Sequence, residues 1–488
     1  MSSYEFLVFV IFLVSFPSQI RTFTKEFQCR TFSGVCLIPY EKGDFSNISI
    51  AIPVPLHTVD LIPYEVTEMR IESHFGRIPE TLVVNFPKIQ ILRMPNTGLK
   101  SLELVETLAY LRDLDVEGNN LTELGNADLG FSLEKINARK NQISKIRAGS
   151  LEYLERLEEL NLSDNFITSL DEKVFKYNKE LKVLLLENNE IESMDGVFTP
   201  GLKLQRISLS KNFIKSISPN TFLGLTELRE LDLSRNLIQT VDENAFRTNN
   251  ALLVLNLRHN YMTSFFLDVN STDFYLLHLG DNQLEAVFII TQLEKVHFLS
   301  IFAGNNRIQQ FHVQKNIPLM ILDLSSNFLS LLQPFHFNEG SVDTLKISNN
   351  NFSTMDFNHL RRFKNLRELH LNNTSLNERQ FAKILNKLTE LQVLDVSFNE
   401  NLAKFNFTTV MALKLKDLKL NACNLRKLHP KEMRHGMPNL MKLGISGNKF
   451  KCNKTEAMLE KLKKKNAYQI LVELVETGPT VEGIGCEM

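Results

Sequence analysis

The sequence predicts an α/β repeat architecture: a solenoid bent into a horseshoe, with a parallel sheet on its inner face and a disulfide-stapled cap at each end. Three observations carry that prediction. The pattern L-x-x-L-x-L-x-x-N-x-L returns every 21 to 25 residues, most clearly at Leu157, Leu160, Leu162, Asn165 and Ile167, at Leu228, Leu231, Leu233, Asn236 and Ile238, and at Leu319, Leu322, Leu324, Asn327 and Leu329. Its polar position forms a column, His74, Thr97, Asn119, Asn141, Asn165, Asn189, Asn212, Asn236, Asn260, Asn282, Asn306, Asn327, Asn350, Thr374, Asn399, Cys423 and Asn448, in which 13 of 17 residues are asparagine. A second column, Phe175, Phe198, Phe222 and Phe246, recurs at 23 or 24 residues between one asparagine and the next strand. This is the leucine-rich-repeat signature.

The asparagine column has a physical reason. A carboxamide carries both donors and an acceptor, so stacked copies can satisfy backbone groups that a turning chain would otherwise bury unpaired. Thr97, Thr374 and Cys423 are weaker substitutes, and His74 marks a degenerate first repeat. The phenylalanine column reads as a packing spine. A chain of 488 residues would ordinarily divide into several domains. A repeat array buries each apolar face only against its neighbours, so one continuous solenoid is expected.

Taken in order, residues 1–20 read as a signal peptide, with an apolar run from Phe6 to Phe16 followed by Pro17, Ser18 and Gln19. The run is short for a membrane span. Glu5 precedes it without any Lys or Arg, and the competing reading is a buried N-terminal strand or helix. Residues 28–66 lack the repeat and form an N-terminal cap with short strands around Ser49 to Ile52; about 17 repeats run over 67–450; residues 451–488 form the C-terminal cap. In that cap Asn453 and Glu456 have capping-box spacing ahead of an amphipathic stretch to Leu462, and Gln469 to Leu474 reads as a strand. Lys461, Lys463, Lys464 and Lys465 fall where a helix C-terminus favours positive charge.

The five cysteines suit an oxidising compartment. Cys29 is expected to pair with Cys36 and Cys452 with Cys486, covering the two exposed ends of the array, while Cys423 sits in the asparagine column as a buried, inert thiol. The alternative pairs Cys423 internally and leaves Cys486 to cross-link a partner. With 55 basic and 56 acidic residues, no global field favours nucleic acid or a membrane surface. No later stretch is apolar for the roughly 20 residues a bilayer span needs. The expected product is secreted.

Motifs for phosphate, dinucleotide, metal or acyl-transfer chemistry are missing from the sequence, so a non-enzymatic protein without cofactor or metal is expected. The surface to examine is the inner face, read at positions three, five, seven and eight of each repeat. Early repeats present Asp113, Asp115 and Glu117 against Lys135, Arg139 and Lys140, with Asp113 facing Lys135 and Glu117 facing Arg139, charges that neutralise one another across strands. The middle presents Val183, Leu185, Val254, Leu276, Phe302 and Ile321, apolar groups that need a reason when they cluster. Leu185, His259, His278, Phe302 and His370 are the candidate partner-binding residues. Among nine N-x-S/T sequons, Asn47, Asn120, Asn270, Asn351, Asn406 and Asn453 are the better glycan acceptors, whereas Asn161 lies in a strand.

The leader, the two-cysteine cap, the first-repeat phrase from Met69 to Leu82 containing His74, the long repeat run and the closing Gly447 to Cys452 together resemble the mosquito leucine-rich-repeat immune proteins over essentially the whole chain. That resemblance implies a haemolymph protein acting in innate immunity. Its partners would be a protein ligand such as a complement-like thioester protein or another leucine-rich-repeat chain, or a pathogen surface. The chain departs from the best-known members in stopping at Met488 without a coiled coil and in having only Cys452 and Cys486 where they have a cysteine cluster. It is therefore similar to the family's coil-less branch. The alternative is an extracellular adhesion or matrix protein, or a soluble relative of Toll-type receptor ectodomains, with no immune role.

Overall fold

Each repeat contributes one short strand, and the alternation of side chains along a strand decides what faces the core. In a computed structural model of the chain, the described residues are 67–71, 76, 78, 88–103, 108–124, 130–330, 337–354, 357–405 and 407–463, together with the strand main chain at 6–13, 23–29, 35–38, 49–51, 469–471, 480–481 and 484–487. They form two compact units, Met1–Ile238 with Asp242–Leu252, and Gln239–Val241 with Leu253–Met488.

In the first unit the strands Val35–Ile38, Glu68–Ile71, Ile91–Arg93, Asp113–Asp115, Lys135–Asn137, Glu159–Asn161, Val183–Leu185, Arg206–Ser208 and Glu230–Asp232 pair in parallel, each with the next in sequence. Middle residues such as Leu114, Leu160 and Leu184 lie in register and are fully buried, while their neighbours on either side point outward. Phe6–Leu13, the expected leader, is extended and pairs antiparallel with Phe23–Cys29 and Ser49–Ala51. Cys29 ends one strand and Cys36 lies in another; the side chains that would form their expected bond are outside the described residues.

The asparagine column is a ladder in fact. Asn189 donates from Nδ2 to the carbonyls of Leu162 (2.9 Å) and Leu186 (3.1 Å), and its Oδ1 accepts from the Ile167 amide (3.0 Å). One side chain thus ties its own turn to the preceding one. Asn165, Asn212 and Asn236 repeat the pattern in the first unit, and Asn306, Asn327 and Asn350 in the second. The substitutes keep part of it: the Thr374 hydroxyl donates to Leu371 O (2.7 Å), and the Cys423 thiol donates to Val396 O (3.3 Å). The residue before the column is left-handed in turn after turn, as at Lys140, Asp164, Asn188 and Lys211 with φ between 53° and 56°. Its amide then reaches the carbonyl two residues before the next ladder position, as Lys140 does to Ser163 O (3.0 Å).

Phe175, Phe198, Phe222 and Phe246 stack with centroids 6.1 Å apart, the packing spine expected of them. Beside it runs a feature the repeat pattern did not announce. Asn178 donates to Leu151 O and Leu154 O at 2.8 and 2.9 Å, and Asn249 donates to Phe222 O and Leu225 O at 3.1 and 2.9 Å.

In the second unit the parallel sheet runs through Val254–Asn256, Leu276–His278, Leu299–Phe302, Leu319–Asp323, Thr344–Lys346, Glu368–His370, Val393–Asp395, Asp417–Lys419, Lys442–Gly444 and Gln469–Leu471. The register slips once, between Leu299 and Ser300. Three outer segments, Ser264–Asp268, Ala286–Ile290 and Gln310–Val313, add a second parallel sheet. Outer segments elsewhere include helix α1 (Glu378–Lys387), opened by a capping box in which Asn377 Oδ1 accepts from Gln380 N and Gln380 Oε1 from Asn377 N, and helix α2 (Pro430–Gly436).

The C-terminal cap differs from expectation in one detail. Helix α3 spans Cys452–Lys463, so Asn453 lies inside it, and the Thr455 hydroxyl turns back to Lys451 O (2.9 Å). Lys464 and Lys465 lie outside the described residues. Cys452 and Cys486 form a disulfide that closes the strand Ile484–Glu487 against Phe450–Lys451. Cys486 is therefore spoken for, and Cys423 is the buried free thiol, which removes the alternative pairing. Burial pushes the Cys423 thiol up to about 12.

Two outcomes are expected. Asn189→Ala leaves the buried Ile167 amide without its acceptor, a loss of about 1–3 kcal/mol, and removes one of two donors from Leu162 O and Leu186 O, which keep Asn165 and Asn212, so it should lower unfolding free energy by roughly 2 kcal/mol in a denaturant titration. Iodoacetamide at pH 8 should leave Cys423 unlabelled in the native protein and label it after unfolding; rapid native labelling would contradict its place in the ladder.

Candidate functional site

Outward positions of the strands make a regular surface in each unit, and the two units fill it differently. In the first unit neighbouring rungs carry opposite charges that bond to one another. Lys140 Nζ reaches Glu117 at 2.9 Å, Arg139 Nε reaches Asp164 at 2.6 Å, and Lys135 Nζ reaches Glu159 at 3.5 Å. Lys211 pairs with Glu187 at 2.8 Å, Arg206 with Glu230 at 2.7 Å, and Arg93 with Glu68. Neutralisation across strands was expected, but the partners are shifted: Lys140, not Arg139, takes Glu117, because Arg139 reaches forward to the next turn.

These contacts set the carboxyls. The hydrogen bond from Lys140 holds Glu117 below the ordinary carboxylate range. Burial pushes Asp164 up, but donation from Arg139 and Asn188 outweighs it and leaves Asp164 below its ordinary value. Burial raises Asp113, against the attraction of Arg93 and Lys135.

Leu185 belongs to this first unit. It is half-buried, in register between Asn161 and Ser208, and shares its strand with Val183, while Glu159 and Arg206 flank Val183 on the adjacent rungs. The other candidates lie in the second unit, so the sequence-level grouping of Leu185 with Phe302 joins residues of separate units.

In the second unit the outward column at the start of the strands holds Val254, Leu276, Ser300 and Ile321. The next outward column holds His278 and Phe302 on adjacent rungs, stacked with centroids 4.9 Å apart and planes inclined by 22°. Two residues further along the chain come Gly280 and Gly304. A Cβ added to either would sit 3.3 Å from a carbonyl oxygen of the following turn, yet the same column carries Arg258, Ser325 and Ser348 elsewhere in the unit. The backbone therefore accepts side chains there, and the two glycines leave a notch beside the His278–Phe302 wall. Asp281 rims it, bonded to Arg258 Nε (2.6 Å) and Asn305 Nδ2 (2.9 Å). At the other end of these strands Tyr275, Phe298 and Met320 are 48%, 57% and 48% exposed.

The histidines do not converge. His259 occupies the left-handed position before the ladder, with Nε2 3.6 Å from Asp281, whereas His370 bonds Glu368 within its own strand at 2.6 Å, three rungs beyond Phe302. Among the described residues no group of three His, Cys, Asp or Glu side chains could hold a metal ion. No helix among them is long and apolar enough to cross a membrane. Of the expected glycan acceptors, Asn120, Asn351 and Asn453 are exposed and Asn270 is half-buried; Asn47 and Asn406 lie outside the described residues. The glycine notch and the exposed edge were missed from sequence. Counting column seven through consecutive repeats would have found the notch.

The leucine-rich-repeat family model matches residues 131–191, 155–202 and 202–262. With the ladder and the parallel sheets, that match settles the architecture. The fold is a leucine-rich-repeat solenoid. Among solved leucine-rich-repeat structures, the chain is similar to TLR13 in a TLR13–ssRNA13 complex, with a TM-score of 0.63 and 21% identity over 84% of this chain and 62% of that one. A leucine-rich-repeat protein of Leptospira interrogans aligns with a TM-score of 0.58 and 21% identity, over 84% of this chain and 96% of its own. The LRIM1/APL1C complex of mosquito immune proteins aligns with a TM-score of 0.50 and 19% identity, over 72% of this chain and 64% of that one. No curated protein sequence matches.

The ion-pair ladder predicts acid sensitivity of the first unit. Glu117 and Asp164 are depressed in the fold, so their contribution is complete above the unfolded carboxylate range near about 4 and is lost as pH falls through their lower folded values. Asp113 is raised and acts in the opposite sense, its protonation relieving a cost. Melts between pH 6 and 2 should show a shallower acid decline for Glu117→Gln/Asp164→Asn than for the parent; identical slopes would count against these pairs.

Proposed function

We propose that the protein is a secreted, non-enzymatic recognition or scaffold protein of insect innate immunity, binding a protein or a pathogen surface through its repeat face. The carrying observation is the contrast between the two strand faces. The charges of the first unit are bonded to one another, whereas the second unit leaves Val254, Leu276, Phe302 and Ile321 half-exposed around a notch floored by Gly280 and Gly304 and reached by the Arg258 and Asp323 side chains. Apolar groups clustered on a solvated strand face, rimmed by Arg258, Asp281 and Asp323, have the composition of a docking surface.

The similarity to the LRIM1/APL1C complex supports a second leucine-rich-repeat chain as the partner class, and a complement-like thioester protein is the further expectation carried by the sequence resemblance. With Cys486 bonded to Cys452, such pairing would be noncovalent at the C-terminal cap. Secretion into haemolymph rests on the apolar segment from Phe6 to Phe16 acting as a leader.

Two measurements test this reading. The protein should rise in haemolymph on infection; constant deposition at tissue boundaries would favour an adhesion or matrix role instead. Phe302→Asp and Gly304→Leu should each reduce sedimentation of the purified protein with whole bacteria, or co-elution with a second leucine-rich-repeat chain, by tenfold or more while leaving the thermal melt nearly unchanged. Leu185→Asp serves as the first-unit comparison, and undiminished binding by all three variants would move the recognition surface elsewhere.

A further inference from the structure

One aromatic residue stands out on the left-handed column. Phe398 has φ 61° and is 47% exposed, at a position occupied in neighbouring turns by Asn349, Asn373 and Ala422. A bulky side chain is disfavoured in that backbone region, and an exposed aromatic ring gains nothing from water. One rung earlier in the same column lies Asn373, whose amide donates to Ser397 O at 2.9 Å. Equivalent positions on adjacent parallel rungs are about 4.8 Å apart.

Asn373 begins the sequon Asn373, Thr374, Ser375 and overlaps a second sequon that begins at Asn372. The fold separates the two. Asn373 is exposed, and its Nδ2 donates to the equally exposed Asn349 Oδ1 at 3.1 Å. Asn372 is half-buried with its Oδ1 bonded to the Ser348 hydroxyl, and its sequon hydroxyl, Thr374, is fully buried in the ladder. An oligosaccharide on Asn372 would have to displace that packing, whereas one on Asn373 projects from the rim of the column.

We propose that Asn373 carries an N-linked oligosaccharide whose first N-acetylglucosamine packs its C–H face on the Phe398 ring. This rests on the secretion reading above, because the co-reactant is a polyprenyl-diphosphate-linked oligosaccharide of the secretory pathway. In the transfer, Asn373 Nδ2 forms a bond to the anomeric carbon, the C–O bond to diphosphate breaks with the pair leaving on oxygen, and the amide gives up one proton. The sugar then covers an apolar ring held one rung away.

The experiment is glycopeptide mass spectrometry of protein secreted from insect cells, after trimming each glycan to a single N-acetylglucosamine. Asn373 should be occupied and Asn372 bare, and N373Q should lose one glycan although the Asn372 sequon persists. A bare Asn373 or an occupied Asn372 overturns the assignment. Packing on the ring is read from a cycle of melts: N373Q should lower the melting temperature in the parent and leave it unchanged in F398A. Equal shifts in both backgrounds overturn the Phe398 contact. Production with a surrogate leader separates the two readings. Occupied Asn373 there, with retention of the chain bearing its own N-terminus, would sink secretion and leave this assignment standing.

Discussion

The bond between a ladder asparagine and the backbone of the preceding turn is the constraint on which the rest depends. A chain that turns every two dozen residues buries amides and carbonyls at each corner, and an unpaired buried group costs about 1–3 kcal/mol. The carboxamide answers this with donors and an acceptor in one side chain, as Asn165 and Asn327 each do across adjacent turns. Once those corners are tied, each strand is delivered in register to the next. Its middle residue is buried and its neighbours are placed on a common outer face. The left-handed residue before the ladder is the geometric partner of that bond, and it is tolerated at Lys, Asp, His and even Phe because the turn is satisfied on both sides.

Because every rung repeats the same backbone, function has to come from departures in the outward columns. The first unit spends those positions on ion pairs that close on themselves, and exposed pairs of that kind contribute little stability each. In the second unit the columns hold aliphatic groups, a stacked His278 and Phe302, and two glycines that the backbone does not demand. The sheet supplies a rigid frame and the departures supply the chemistry. Conclusions about binding therefore belong to particular residues and not to the repeat as a class.

Much of this was legible beforehand. The ladder from Asn119 to Asn448, the phenylalanine stack, the cap strand at Gln469 and the Cys452–Cys486 bond follow from spacing, because a repeating backbone maps sequence interval directly onto spatial adjacency. Local partner choice was less legible. Whether Glu117 bonds Arg139 or Lys140 depends on which long side chain finds a better acceptor one turn further on, and Arg139 finds Asp164. The three-stranded outer sheet from Ser264 to Val313 has no asparagine column to mark it, and only the pairing of neighbouring turns makes strands of it.

By itself the sequence determined the repeat, its register, the faces on which each column lies and the cysteines available for the caps. These follow from periodicity, which local chemistry imposes turn by turn. Only the tertiary structure decided that Cys423 is a thiol donor to Val396 O, that α3 begins at Cys452, that Asn372 and Asn373 differ in exposure, and that Gly280 and Gly304 open a notch beside an aromatic pair. Each of those depends on what the adjacent turn places a few ångströms away. That distance is set by packing between turns and cannot be read from the order of residues within one.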